Sequence, residues 1–237
     1  MSLPIIILTG PTACGKGTLG KRLADEFGFY HVSMGDARRE LEAQIRAPDG
    51  LPGMPDNVNQ HALEAEPIPD EVLARFRPVP VILPYWNCRV RQQRSWMLAP
   101  EILNEKLSEA RAAGTYRAVI VDGFPVTAGR TSETVIRGIL SSFSGLTIVI
   151  DSPREVARRR YLERARGDTN EETFERRMGH TDVILPQFIE FMSQFGSVVH
   201  FTNEGTMTID AAYSAFVGKL TDSSVFQTLT QLPAPTN

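Results

Sequence analysis

A three-layer α/β fold, with a five-stranded parallel sheet covered by helices on both faces, is what this sequence predicts. Three observations carry that expectation. Five short apolar runs alternate with longer stretches of helical periodicity, and such alternation produces a parallel sheet buried on both sides. The first run leads directly into a glycine-bearing loop and then a helical pattern, an order that suits phosphate binding. The length, 237 residues with 42% hydrophobic and 22% charged side chains, fits one globular domain with an elaboration.

The elements follow in order. Ile5 to Thr9 is a β-branched apolar run and predicts the first strand, and Lys16 to Phe27 the first helix. Phe29 to Val32 predicts the second strand. The stretch Ala47 to Ala99 breaks the rhythm: nine of the sixteen prolines lie between Pro48 and Pro100, with both tryptophans. A structureless loop of that length is uncommon inside a compact domain, so residues 47–98 are expected to form an insertion with its own packing. Regularity returns with a helical pattern from Pro100 to Ala113 and strands from Ala118 to Asp122 and Leu146 to Asp151. Helical patterns then run from Arg154 to Arg166 and from Glu171 to Phe195, where Pro186 is a candidate bend. Val198 to Phe201 predicts the last strand and Met207 to Leu220 the last helix, leaving residues 221–237 as a partly ordered tail. The core is thus assigned to residues 1–46 and 99–220.

Net charge is −3, which gives no general attraction to nucleic acid or to an acidic membrane. Any charge-based function must be local. Arginine outnumbers lysine 21 to four, and guanidinium grips phosphate bidentately. Cys14 and Cys88 cannot build a disulfide framework in a chain of this length, and no apolar run approaches a membrane span. A monomer in the cytoplasm, without membrane or nucleic-acid partners, is the expectation.

The loop after the first strand reads Gly10-Pro-Thr-Ala-Cys14-Gly15-Lys16-Gly17-Thr18. Its glycines let backbone N–H groups point inward, the helix start adds positive potential, and Lys16 reaches outer phosphates. Thr18 offers its hydroxyl to Mg²⁺, one place later than the strict G-x-x-x-x-G-K-[ST] pattern because Gly17 intervenes. A plain flexible turn is the competing reading, and it does not require a lysine there. Cys14 suits a small filler better than a reactive thiol, since no neighbouring base is visible.

Three further segments accompany this loop: His31-Val-Ser-Met-Gly-Asp-Ala-Arg-Arg39, Val121-Asp-Gly-Phe-Pro125, and Arg166-Gly-Asp-Thr-Asn-Glu-Glu-Thr-Phe-Glu-Arg-Arg177. In this order the four resemble the nucleoside monophosphate kinase family of adenylate and UMP/CMP kinases. The resemblance covers most of residues 4–46 and 99–220, including Asn203-Glu-Gly-Thr. It implies a P-loop kinase fold with a lid, here short at about residues 164–168, and an enlarged acceptor-binding region. It also implies transfer of the γ-phosphoryl of ATP to a small-molecule acceptor with Mg²⁺. Positioning and charge neutralisation do most of the work in such a reaction.

By the resemblance, Gly10, Cys14, Gly15, Lys16, Gly17, Thr18, Arg160 and Gly205 would hold ATP, with Arg160 against the adenine and Arg164 on phosphate. A solvated basic face is the alternative for the run 158–160, and it suits Arg158 and Arg159 better. Arg166 and Arg177 look like transition-state clamps oriented by Asp168; Thr169 stands where the family usually has a second aspartate. Asp122 would hold waters on Mg²⁺ with Thr18 beside it, the alternative being an Asx-type cap of the following turn.

The acceptor side departs from the pattern. Gly123 and Arg39 match, but Met34 replaces a threonine, Val126 an arginine, and Arg130 a base-recognising glutamine. Losing one phosphate-binding arginine weakens an acceptor about tenfold to a hundredfold. Arg130, or Arg89, Arg91 and Arg94 near Tyr85, Trp86 and Trp96, are candidates to compensate; a small hydrophobic core is the competing reading of those aromatics. Three functions remain open: a nucleoside monophosphate kinase, a same-fold kinase for a non-nucleotide metabolite, and a non-catalytic nucleotide-binding protein.

Overall fold

The computed structural model describes residues 3–45, 99–123, 142–164 and 169–233. The chain divides into two compact units, Met1–Ser33 with Ala110–Asn237, and Met34–Glu109.

The first unit holds the sheet. Strands β1 (Ile5–Thr9), β2 (Tyr30–Ser33), β3 (Val119–Asp122), β4 (Phe143–Asp151) and β5 (Ser197–Thr202) are ordered β2-β3-β1-β4-β5. Every neighbouring pair is parallel. All five residues of β1 are buried, as a central strand covered on both faces requires. Alternate residues Ile6 and Leu8 join Ile120, Ile148 and Ile150 in one core. Helices α1 (Lys16–Phe27), α6 (Ile209–Thr221) and α7 (Ser224–Gln231) close that face through Leu19, Leu23, Phe216, Leu220 and Phe226. Helices α4 (Arg154–Leu162) and α5 (Glu171–Ser193) pack together, and α5 also packs against β5.

The second unit contains α2 (Met34–Ile45) and most of α3 (Ala99–Ala113). In α3, Leu103, Leu107 and Ala110 are buried at helical spacing. Lys106 lies 3.7 Å from Glu40 of α2.

All five expected strands are present and all parallel, so the three-layer α/β fold stands. Several bounds differ for identifiable reasons. Phe29 precedes β2 and is a core side chain. Strand β4 begins at Phe143 rather than Leu146, because Gly145, with φ 80°, interrupts the apolar pattern beside a register shift against β1. Thr208 accepts a hydrogen bond from the Ala211 N–H and so caps α6, which starts after it. Helix α5 runs unbroken through Pro186.

Two segments add to the sequence expectation. Met34–Ile45, for which no element was given, is a helix. Residues 221–237, expected as a partly ordered tail, contain α7, capped by Ser223 and carrying Phe226 and Leu229 into the core. A three-residue spacing of two apolar side chains behind a serine is too brief a pattern to announce a helix without the sheet it packs on. The expected insertion at 47–98 and most of the expected lid lie outside the described residues.

Candidate active site

The carboxyl ends of β1 and β3 position the site. Leu8 pairs in register with Asp122, and the Gly123 N–H donates to the Leu8 carbonyl at 3.0 Å. The loop at residues 10–15 therefore begins beside the buried carboxylate of Asp122. Gly10 turns the chain out of β1 with φ 142°, and a Cβ there would stand 1.9 Å from the Ile150 carbonyl oxygen. No other residue fits so close an approach. Ala13 adopts φ 59° and Gly15 φ 108°, both left-handed, the backbone reversals that aim successive N–H groups at an anion. Lys16 opens α1 and folds back over the loop, its Nζ donating to the carbonyls of Gly10 at 2.9 Å and Pro11 at 2.6 Å. Burial pushes the Cys14 thiol up from its ordinary pKa, only partly offset by the Lys16 ammonium. The side chain is a protonated filler, as expected.

Asp122 fits a magnesium site. A Cβ on Gly17 would lie 3.7 Å from Asp122 Oδ2, so the carboxylate rests against the first turn of α1, the turn that carries the exposed Thr18. One hard carboxylate and one hydroxyl at a phosphate loop suit an ion that keeps much of its hydration. His31 of β2 brings Nε2 to 3.6 Å from Asp122 Oδ2, beyond hydrogen-bond range.

Arg160 of α4 is tied to the phosphate loop. Its Nη2 donates to Asn203 Oδ1 at 3.1 Å and its Nη1 to the Cys14 carbonyl at 3.5 Å. Asn203 Nδ2 donates to the same carbonyl at 3.0 Å. The Asn203 backbone is held in turn by Asp151 and Ser152 at the end of β4. A Cβ on Gly205 would fall 3.3 Å from Arg160 Nη2. Gly205 and Arg160 thus belong to one corner. Asn203 itself was not among the expected site residues; its signal was its place directly beyond the carboxyl end of β5.

The remaining arginines divide. Arg177 of α5 is half-buried, with its guanidinium carbon 5.5 Å from the Tyr161 ring centroid. Arg164 lies in the turn after α4. The solvated-face reading fits Arg159, which is exposed, and Arg158, whose largely exposed guanidinium crosses to Glu171 of α5; Arg154, also on α4, pairs with Glu175 and Asp182. In the second unit, Met34 is buried at the start of α2 and Arg39 pairs with Asp36 one turn earlier. Gly123 follows β3 with φ 79°. Arg166 and Asp168 of the lid, and Val126 and Arg130 of the acceptor motif, lie outside the described residues.

No protein-family model matches the chain. It is, however, 29% identical over 179 residues to an adenylate kinase of Thermus thermophilus, covering 73% of this chain and 74% of that one. It is 26% identical over 213 residues to an adenylate kinase of Caulobacter vibrioides, covering 87% and 93%. The match to an adenylate kinase of Maricaulis maris is 29% over 217 residues, covering 87% and 94%. Over most of its length the chain is similar to the nucleoside monophosphate kinase family. Its parallel five-stranded sheet and flanking helices are the three-layer P-loop kinase fold of that family. Within the family fold, the elements that carry Lys16, Asp122 and Arg160 come from β1–α1, β3 and α4, all in one compact unit. Among the described residues, no helix is long and apolar enough to cross a membrane.

Proposed function

We propose that this chain is a phosphotransferase that moves the γ-phosphoryl of ATP to a nucleoside monophosphate, AMP, UMP or CMP. The observation that supports it best is the convergence of Lys16, Asp122 and Arg160 on one phosphate loop at the end of β1. An acceptor phosphate oxygen bonds to the γ-phosphorus, the bond to the β–γ bridging oxygen breaks, and ADP leaves. The loop N–H groups and Lys16 bind the donor phosphates. For this Lys16 exchanges its two carbonyl partners for phosphate oxygens, a swap of neutral acceptors for charged ones that favours the bound state. Arg160 lies against the donor base, held by Asn203, and Arg164, Arg166 and Arg177, with Asp168, neutralise charge that develops in transfer. Thr18 and Asp122 would hold Mg²⁺, partly through water, and the ion supplies charge neutralisation across the phosphates.

A second reading has its own support. Val126 stands where the family has a phosphate-binding arginine, and Met34 brings a buried apolar side chain where it has a hydroxyl. Both fit an acceptor other than a nucleotide.

The test is ATP consumption against a panel of nucleoside monophosphates and hydroxylated metabolites, with Lys16→Met as control. ADP formation with at least one monophosphate is expected, falling about a hundredfold to a thousandfold in the variant, the range for removing one preorganised donor. Turnover only with a non-nucleotide would establish the second reading. ATP binding without Lys16-dependent turnover on any acceptor would mean that the chain binds nucleotide and does not catalyse.

A further inference from the structure

Helix α4 meets the phosphate loop through two successive side chains. Arg160 donates to the Cys14 carbonyl. Its neighbour Tyr161, only 3% exposed, shares a buried cluster with Ala13, the loop residue just before Cys14, and with Ala157, Phe174 and Met178. The Tyr161 and Phe174 rings lie 5.5 Å apart at 46°. Phe174 is one turn before Arg177 on α5, and the Arg177 guanidinium carbon stands 5.5 Å from the Tyr161 ring centroid. This is within range of the ring's negative face. Ala13 sits at φ 59°, an uncommon conformation for a residue with a Cβ.

We propose that Tyr161 is a positioning residue for phosphoryl transfer: its buried ring packs in one cluster with Ala13 of the phosphate loop and carries the Arg177 guanidinium. The inference rests on the proposed kinase reading, in which Arg177 acts on the transferring phosphoryl group. The physical logic is preorganisation. A guanidinium on a long side chain must otherwise be ordered at the moment of reaction, which costs rotamer entropy. A ring fixed by Phe174, Met178 and Ala13 keeps the charge ready on the loop's side of α5. The tyrosine therefore acts through Arg177, without touching the substrate itself.

The experiment compares Tyr161→Phe and Tyr161→Leu in the full chain, alone and combined with Arg177→Met, well below the unfolding temperature. Tyr161→Phe keeps the ring and should retain kcat. Tyr161→Leu keeps apolar bulk without a π-face, and kcat should fall about threefold to thirtyfold, the span of a desolvated cation–π contact, with the KM for ATP unchanged. In the Arg177→Met background the same leucine should cost nothing more. Equal loss in both backgrounds, unchanged kcat in Tyr161→Leu, or equal damage from phenylalanine and leucine would overturn the proposal. If the wild-type chain transfers phosphoryl to no acceptor, the kinase reading has failed. Tyr161→Leu, Arg177→Met and their double variant then decide the contact by urea unfolding: non-additive destabilisation supports Tyr161 as the seat of Arg177, and additive destabilisation overturns it.

Discussion

Asn203 shows how much one buried side chain decides. Its amide donates to the Cys14 carbonyl and accepts from Arg160. The orientation is forced, because a carbonyl needs a donor and a guanidinium needs an acceptor. Asn203→Asp keeps the acceptor for Arg160 and sets a second oxygen against the Cys14 carbonyl. We expect the KM for ATP to rise about tenfold, roughly the worth of one charge-assisted hydrogen bond, with kcat less affected. Steady-state kinetics at varied ATP checks this; an unchanged KM would show that the bridge does not support donor binding. Lys16 was legible from the sequence because a lysine after a glycine loop has few other uses. Asn203 was not, because asparagine is common beyond strand ends and only the fold brings it to Cys14.

At the scale of elements, β1 and α1 were read to the residue, since a β-branched run, a glycine loop and an amphipathic helix each have distinct patterns. Helix α7 was not. Its eight residues have no strong helix signal beyond the Ser223 cap, and they are stabilised by Phe226 and Leu229 packing into the core that β4 and α6 form. Phe226→Ala should cost about 3–5 kcal/mol in urea unfolding, as for a fully buried phenylalanine. A loss under about 1 kcal/mol would mean the helix merely rests on the domain. The ion pairs joining α4 to α5 are exposed at Arg154, Glu175, Arg158 and Glu171. Solvent-exposed pairs of this kind contribute little, so the buried Tyr161–Phe174 cluster carries more of that contact.

At the scale of the whole molecule, the candidate site residues are drawn from both compact units. The phosphate loop, Asp122, Arg160 and Arg177 belong to one compact unit; Met34 and Arg39 belong to the other. By the resemblance, Met34, Val126 and Arg130 depart from the family pattern on the acceptor side, and Thr169 departs from it in the lid. Val126→Arg should lower the KM for a monophosphate acceptor about tenfold to a hundredfold, since it restores one charged hydrogen bond. An unchanged or higher KM would count against a monophosphate at that position.

The sequence by itself determined the order of the strands and the glycine loop after β1, because hydrophobic period and glycine placement are local properties. It also marked Asp122 as a strand-end carboxylate. Only the tertiary structure decided that Leu8 brings Asp122 beside that loop, that Asn203 joins Arg160 to Cys14, and that Tyr161 sits under Arg177. Those contacts join residues as far as 189 positions apart. Sheet register and helix packing set such distances, and no local pattern encodes them.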